Sequence, residues 1–538
     1  MIKLPAANTR HVKQSGLWML ILLWAMLTLL NITKAFHIDD TFHLEAAEWI
    51  RENPLTPMSG LINWIDSPTP LYTHNQPPLF FYMIALVITF AGTGEIPLHL
   101  FLSIFTFLSL FIFDRLTHLL KIRNSSLLLL LFAFSPALIV NQNLMTDIPL
   151  LSLILGSAYF LVLASEQPKA RSYVFAALLL GIGLLIKYSV LPLLVVLILV
   201  LIIRRDFRYL TVLLIPLGML FLWSVWNYTE YGSVHFFDRP TGGLHINRLW
   251  SFMAVIGSVC LFTASLFHGS WPFRYVRYVI AAVILMFLAF ILLFISGLVS
   301  EQATAYILNI GFILNGFFLF FLMIRFTVKY IKASGFRQTI ESDGFIMFLF
   351  AGATSAFIML YAPFMATRHI LLILPFVLLF LWPLIEKSER TINRVSLIST
   401  VILGIALGIS DYTYAGFYRK MASEIKLPQG TKVWTAGHWG WQWYSAKNGM
   451  IPFAGNTSEM KEGDCFVYPG NIPLQSFENS LELTVVEKYF ESATPLTFFS
   501  GNNNASMYSS SMKIPPWTLS MRPIDTVYIC RVVRVLKE

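Results

Sequence analysis

Apolar runs recur along this chain at 17–35, 79–92, 97–119, 126–141, 148–165, 172–188, 189–203, 209–227, 251–267, 277–299, 304–324, 344–363, 369–386 and 395–412. They constrain the fold more than any motif does, because a helix of roughly 20 apolar residues matches the thickness of a bilayer core. Only 12% of the 538 residues are charged and 56% are hydrophobic, whereas a soluble domain carries about 25% charged residues. The chain is therefore expected to be a polytopic α-helical membrane protein with about 13 transmembrane helices. Its net charge of +9 does not indicate a nucleic-acid partner, since Lys and Arg gather in cytoplasmic loops of membrane proteins.

Positive clusters mark the cytoplasmic side: Lys121/Arg123, Lys169/Arg171, Arg204/Arg205/Arg208, Arg274/Arg277, Arg325/Lys329/Lys332/Arg337 and Lys387/Arg390/Arg394. With the N-terminus inside, all six fall inside if one early run does not span. The run 79–92, short and preceded by Pro77-Pro78, is the best candidate for an interfacial segment. The N-terminal run lacks a small-residue cleavage site and reads as an uncleaved signal anchor. This topology predicts a transmembrane domain over 1–412, a large first extracytoplasmic loop over about 36–96, and a small extracytoplasmic α/β domain over 413–538. Short alternating runs such as Lys432-Val433-Trp434-Thr435 and Thr526-Val527-Tyr528-Ile529 support the last assignment. Cys465 and Cys530 lie in that domain and are open to pairing or to remaining free.

The same topology gathers Asp39, Asp40, His74, Asp147, Lys187, the loop from Tyr228 to Trp250, and Arg368-His369 on one face. Asp39-Asp40 follows the first span and precedes an amphipathic stretch containing Phe42, Ala46, Trp49 and Ile50. One aspartate of the pair could cap that helix. The first loop closes with His74-Asn75-Gln76-Pro77-Pro78-Leu79, and Thr146-Asp147-Ile148-Pro149-Leu150 lies where one run ends and the next begins. Each of these features has a structural reading as a hinge or a cap.

Their order resembles the protein O-mannosyltransferase and lipid A aminoarabinose transferase group of the C-type polytopic glycosyltransferases. Ile186-Lys187-Tyr188, Arg368-His369-Ile370-Leu371 and, more weakly, Trp439-Gly440-Trp441-Gln442-Trp443-Tyr444 extend the resemblance. It implies a polyprenyl-phosphate sugar donor, with Asp39 as catalytic carboxylate and Asp40 beside it. It further implies a supporting role for Asp147, a phosphate facing Lys187, and substrate contacts at Arg368, His74 and Gln76. His245, in His245-Ile246-Asn247-Arg248, resembles a loop that helps hold a divalent metal in some members, with Asp147 as a second candidate ligand. Phe42 and Asn75-Gln76 depart from the aminoarabinose transferase pattern, which carries Arg and Glu-Lys there.

The chemistry of such a donor supports one carboxylate. Phosphate leaves as a stable anion, so no acid is needed, unlike glycoside hydrolysis. A base must take the acceptor proton, and a single displacement inverts the anomeric centre. Lys187, Arg368, Arg239 or Arg248 could stabilise the departing phosphate. The expected setting is a bacterial plasma membrane, with a lipid, glycan or protein as acceptor. The rival reading is a transporter or channel with Asp39, Asp147 and Lys187 along its path. No inverted repeat supports it.

Overall fold

The structure, a computed structural model, describes residues 16–74, 76–166, 169–238, 245–271, 275–426, 430–491, 497–500, 505–511 and 513–536. The chain opens with helix α1 (Leu17–Asn31) and the amphipathic α2 (Asp40–Glu52), followed by a small antiparallel hairpin of β1 (Leu61–Ile62) and β2 (Thr69–Pro70). Then come α3 (Leu79–Ala91), α4 (Glu95–Leu119), α5 (Ser125–Ala133), α6 (Pro136–Val140), α7 (Asp147–Glu166), α8 (Ala170–Ile186), α9 (Leu191–Ile203) and α10 (Leu214–Tyr231). The bundle continues with α11 (His235–Asp238), α12 (Ile246–Val259), α13 (Thr263–Ser270), α14 (Val276–Ile295), α15 (Glu301–Ser334) and α16 (Phe336–Ile340). It is completed by α17 (Asp343–Tyr361), α18 (Thr367–Leu371), α19 (Leu374–Lys387) and α20 (Arg390–Glu424).

Among the described residues, 7 helices are long and apolar enough to cross a membrane, or 8 if the bent pair α12–α13 forms one span. The protein is a polytopic helical membrane protein. Its outer helices show why: α14 carries one charge in 20 residues and stays almost wholly exposed, a surface that only lipid can cover. The run 251–267 is two helices meeting at 92°, and 126–141 breaks before Pro136, whose ring suits the first turn of α6. Helix α3 has 13 residues, about 20 Å at 1.5 Å per residue, well short of a bilayer core of about 30 Å. Inside the bundle, α12 and α15 cross so closely that a side chain at Gly257 or Gly316 would strike the partner backbone.

Helix α20 runs through residue 412 to Glu424, because its outer turns bury Tyr414, Tyr418 and Met421 against the C-terminal domain rather than entering solvent. That domain holds β3 (Val433–Thr435), α21 (Trp439–Lys447), β4 (Ile451–Pro452), β5 (Cys465–Pro469), β6 (Leu481–Phe490) and β7 (Thr526–Val535). Its sheet has the order β4-β3-β5-β7-β6, with β3 parallel to β4 and β5, and β7 antiparallel to β5 and β6. One sheet face carries its own core of Trp434, Phe453, Phe466, Cys530 and Val532; the other carries Val433, Cys465, Val467 and Ile529 into the main core. Cys465 pairs in register with Arg531, and Cys530 with Phe466. The one-residue offset turns the two thiols to opposite faces, so they are free and no disulfide joins them.

Candidate active site

The site begins at the turn between α1 and α2. Ile38 adopts φ 51°, a left-handed conformation that a β-branched residue rarely holds. Surrounding packing enforces it: Phe36, His37 and Ile38 are all buried. The next two residues then diverge. Asp40 is fully buried, and its Oδ2 accepts the His37 N–H at 2.9 Å. Burial pushes its carboxyl up to about 8. Asp39 occupies the N-cap position of α2, yet its side chain makes no capping bond. It leaves the helix and accepts from Arg368 Nη1 at 2.7 Å.

Arg368 comes from α18, held over the N-terminus of α7. Its Nε stands 3.9 Å from Asp147 Oδ2, and Lys187 donates to Asp147 Oδ1 at 2.8 Å. Lys187 lies where α8 ends and the chain becomes extended. Four charges from α2, α7, α8 and α18 therefore alternate as Asp39–Arg368–Asp147–Lys187. The side chain of Asp39 is 24% exposed and that of Lys187 17%, whereas Arg368 and Asp147 lie at 5% and 2%. The ends of the row reach solvent and its middle is buried.

The row borders a cavity of about 200 Å³. Its polar lining comprises Asp39, His43, His74, Gln76, Lys187, Arg368 and His369; its apolar lining includes Phe357, Ile358, Tyr361, Phe364 and Leu372, from the end of α17 to the start of α19. Phe42 and Trp64 add an aromatic wall from the first loop. His43 fixes the loop, with Nδ1 2.7 Å from the Leu144 carbonyl and Nε2 3.2 Å from Gln76 Oε1. Burial lowers its imidazole below the ordinary value. Burial and the nearby His235 bring His74 down to about 4, so both rings are neutral near pH 7. The His74 carbonyl accepts from His235 Nε2 at 2.6 Å.

Asp39, His74, Gln76, Lys187 and Arg368 thus meet at one cavity, although they are spread over more than half the sequence. Asp147 stands behind it as the shared anion of two cations. Asp40 does not line it, because the Ile38 turn sends its carboxyl into the protein. His245 does not line it either; it is exposed at the start of α12. Arg248 donates to the carbonyls of Ile358 and Ala362, bracing the apolar wall rather than the charged row. Arg239 lies outside the described residues, as does Asn75.

A divalent metal fits this site poorly. Asp39 and Asp147 already face cationic side chains, whose like charge would repel an ion. Among the described residues, no three His, Cys, Asp or Glu side chains gather closely enough to hold one.

Sequence reasoning missed a second buried cluster beneath the turn. Lys34 is fully buried and forms an ion pair with Asp411 of α20. It also donates to Asn143 Oδ1 and, at 3.2 Å, to the Val140 carbonyl. Tyr508 of the C-terminal domain completes the group, donating to Asp411 Oδ1 at 2.7 Å. A lysine ending the first apolar run was the available signal, but its partner lies 377 positions away.

Residues 75–228 match the family described as dolichyl-phosphate-mannose-protein mannosyltransferase. The segment includes Gln76, Asp147 and Lys187. The resemblance to polytopic glycosyltransferases read from the sequence is borne out there. Among solved structures, the chain is similar to ArnT from Cupriavidus metallidurans bound to undecaprenyl phosphate, at 12% identity and TM-score 0.40, covering 95% of this chain and 97% of that one. The same protein in the apo state gives 12% identity and TM-score 0.43 over 95% and 96%. The archaeal oligosaccharyltransferase AglB from Archaeoglobus fulgidus, in complex with an inhibitory peptide and a dolichol-phosphate, gives 11% identity and TM-score 0.41 over 84% and 69%. No curated protein matches the sequence.

Proposed function

We propose that this chain, a membrane glycosyltransferase by its match to the mannosyltransferase family, moves a sugar from a polyprenyl-phosphate carrier to an acceptor hydroxyl or amine. One observation carries the reading: a carboxylate and two cations share a cavity with a run of apolar side chains. The wall of Phe357, Ile358, Tyr361, Phe364 and Leu372 suits the first isoprene units of a lipid carrier. Arg368 and Lys187 suit its phosphate. Asp39 suits the proton of the acceptor.

The displacement runs as follows. Donor phosphate competes with Asp39 for Arg368, loosening the ion pair and leaving the carboxylate free to act as base. The acceptor oxygen or nitrogen bonds to the anomeric carbon while its proton passes to Asp39. The bond from that carbon to the phosphate oxygen breaks, and its electron pair leaves with polyprenyl phosphate, stabilised by Arg368 and Lys187. The anomeric centre inverts. The site opens on the extracytoplasmic face, in the plasma membrane of a bacterium, and the acceptor is a lipid, glycan or protein.

The transport reading finds little in this geometry: Asp147 is buried and bound to two cations rather than placed along an open path. Incubating purified protein with a panel of labelled polyprenyl-phosphate sugars and an envelope extract decides between them. The proposal expects one donor class to be consumed, with polyprenyl phosphate released as sugar is transferred. No consumption of any donor, together with cation flux in liposomes, overturns it.

A further inference from the structure

Residues 505–511 lie outside the C-terminal sheet and bond to the residue preceding Arg368 and to the buried cluster beneath the Asp39 turn. On the arginine side, the Met507 carbonyl accepts from the Thr367 N–H at 2.9 Å and from Thr367 Oγ1 at 3.0 Å. Ser510 N–H donates to the Met365 carbonyl at 2.8 Å. Thr367 immediately precedes Arg368, so these bonds set the start of α18 and the origin of the guanidinium. Asn141 adds a bond to Thr367 Oγ1 at 3.2 Å.

On the aspartate side, Tyr508 is buried. Its hydroxyl donates to Asp411 and accepts from Asn143 Nδ2 at 2.7 Å. Asp411 and Asn143 together hold Lys34, which stands five residues before Asp39. The Tyr508 ring also meets His37 edge-on at 5.8 Å between centroids, inside the turn that directs Asp39 outward. Lys34 and Asp411 are paired, and the Tyr508 hydroxyl has both a donor and an acceptor partner, so neighbouring side chains fix the geometry of the cluster.

We infer that residues 505–511 form a positioning clamp: Tyr508 sets the catalytic carboxylate through Lys34 and His37, and Met507 sets the phosphate-binding arginine through Thr367. The inference rests on Asp39 being the base. It makes the C-terminal domain a working part of the site, because the distance between base and phosphate cation depends on a segment of that domain. Tyr508 and Thr367 touch no substrate; they act through the residues they hold.

The two arms have different kinetic signatures. A small displacement of a catalytic group costs up to about a hundredfold in rate. Tyr508→Phe, which keeps the ring, is expected to lower kcat about 10- to 100-fold with donor KM nearly unchanged and thermal stability retained. Thr367→Val is expected to raise donor KM about tenfold with a smaller effect on kcat, and Thr367→Ser to restore it. All variants are measured in the full-length protein beside Asp39→Asn. An inactive Asp39→Asn with Tyr508→Phe at the wild-type rate overturns the clamp and leaves the base assignment standing. A fully active Asp39→Asn overturns the base assignment itself. Parallel loss of rate, affinity and stability in Tyr508→Phe marks a merely structural tyrosine and overturns the clamp. If Tyr508→Phe does not fold, the Thr367 pair decides, and a wild-type Thr367→Val is the overturning result.

Discussion

Replacing Asp147 by Asn removes the one anion shared by two cations while preserving shape. Lys187 loses its partner at 2.8 Å and Arg368 loses a carboxylate at 3.9 Å. Arg368 is 5% exposed and still has Asp39; Lys187 is 17% exposed and has a route toward the cavity. Breaking a buried ion pair by removing one member costs about 3–5 kcal/mol, and the relief open to Lys187 places this case near the lower end. For a chain of 538 residues unfolding as one unit, about 3 kcal/mol corresponds to a Tm loss of roughly 3 °C. A polyprenyl monophosphate supplies the missing negative charge, so it should stabilise Asp147→Asn more than wild type and recover most of the deficit. Thermal unfolding in detergent, with and without the lipid, measures both effects. An unchanged Tm refutes the shared-anion argument. Equal stabilisation of both proteins by the lipid refutes the assignment of these cations to phosphate.

Arg368→Lys keeps the charge but replaces a planar fork by a single point; losing a charge-assisted hydrogen bond worth about 1.5–3 kcal/mol predicts a donor KM raised about 10- to 100-fold, read from initial rates. Asp40 and Glu45, pushed up to about 8 and about 7 by burial, bind protons in the folded protein that the unfolded chain has released. Stability should therefore fall as pH rises from about 4 to about 8, and Asp40→Asn should flatten most of that decline in unfolding scans. Cys465 and Cys530 should both alkylate after denaturation without reductant, because they face opposite sides of the sheet; protection of either thiol contradicts the register.

The helices were legible wherever lipid is the neighbour. The run 277–299 corresponds to α14, since nothing but hydrophobicity decides a helix exposed on all sides. Where protein is the neighbour, the signal failed. The run 395–412 stops at the last apolar residues, but α20 continues for 12 more because Tyr414 and Tyr418 pack on the C-terminal domain. The bend at 260–262 carries no Gly or Pro to mark it. At the site, Asp39, Lys187 and Arg368 were identifiable as charges adjoining apolar runs. The separation of Asp39 from Asp40 was not, because it depends on the unusual backbone of Ile38. Nor was the Lys34–Asp411–Tyr508 cluster, which only the folded chain brings together.

We propose Asp39 as the base that takes the acceptor proton. Single-turnover transfer at saturating donor, wild type against Asp39→Asn, tests it most directly, with binding of polyprenyl phosphate measured on the same preparations. Transfer is expected to fall at least about a hundredfold while the lipid still binds, and more tightly, because Arg368 is released from its carboxylate partner. Transfer at the wild-type rate by Asp39→Asn would contradict it and reduce Asp39 to an anchor for Arg368.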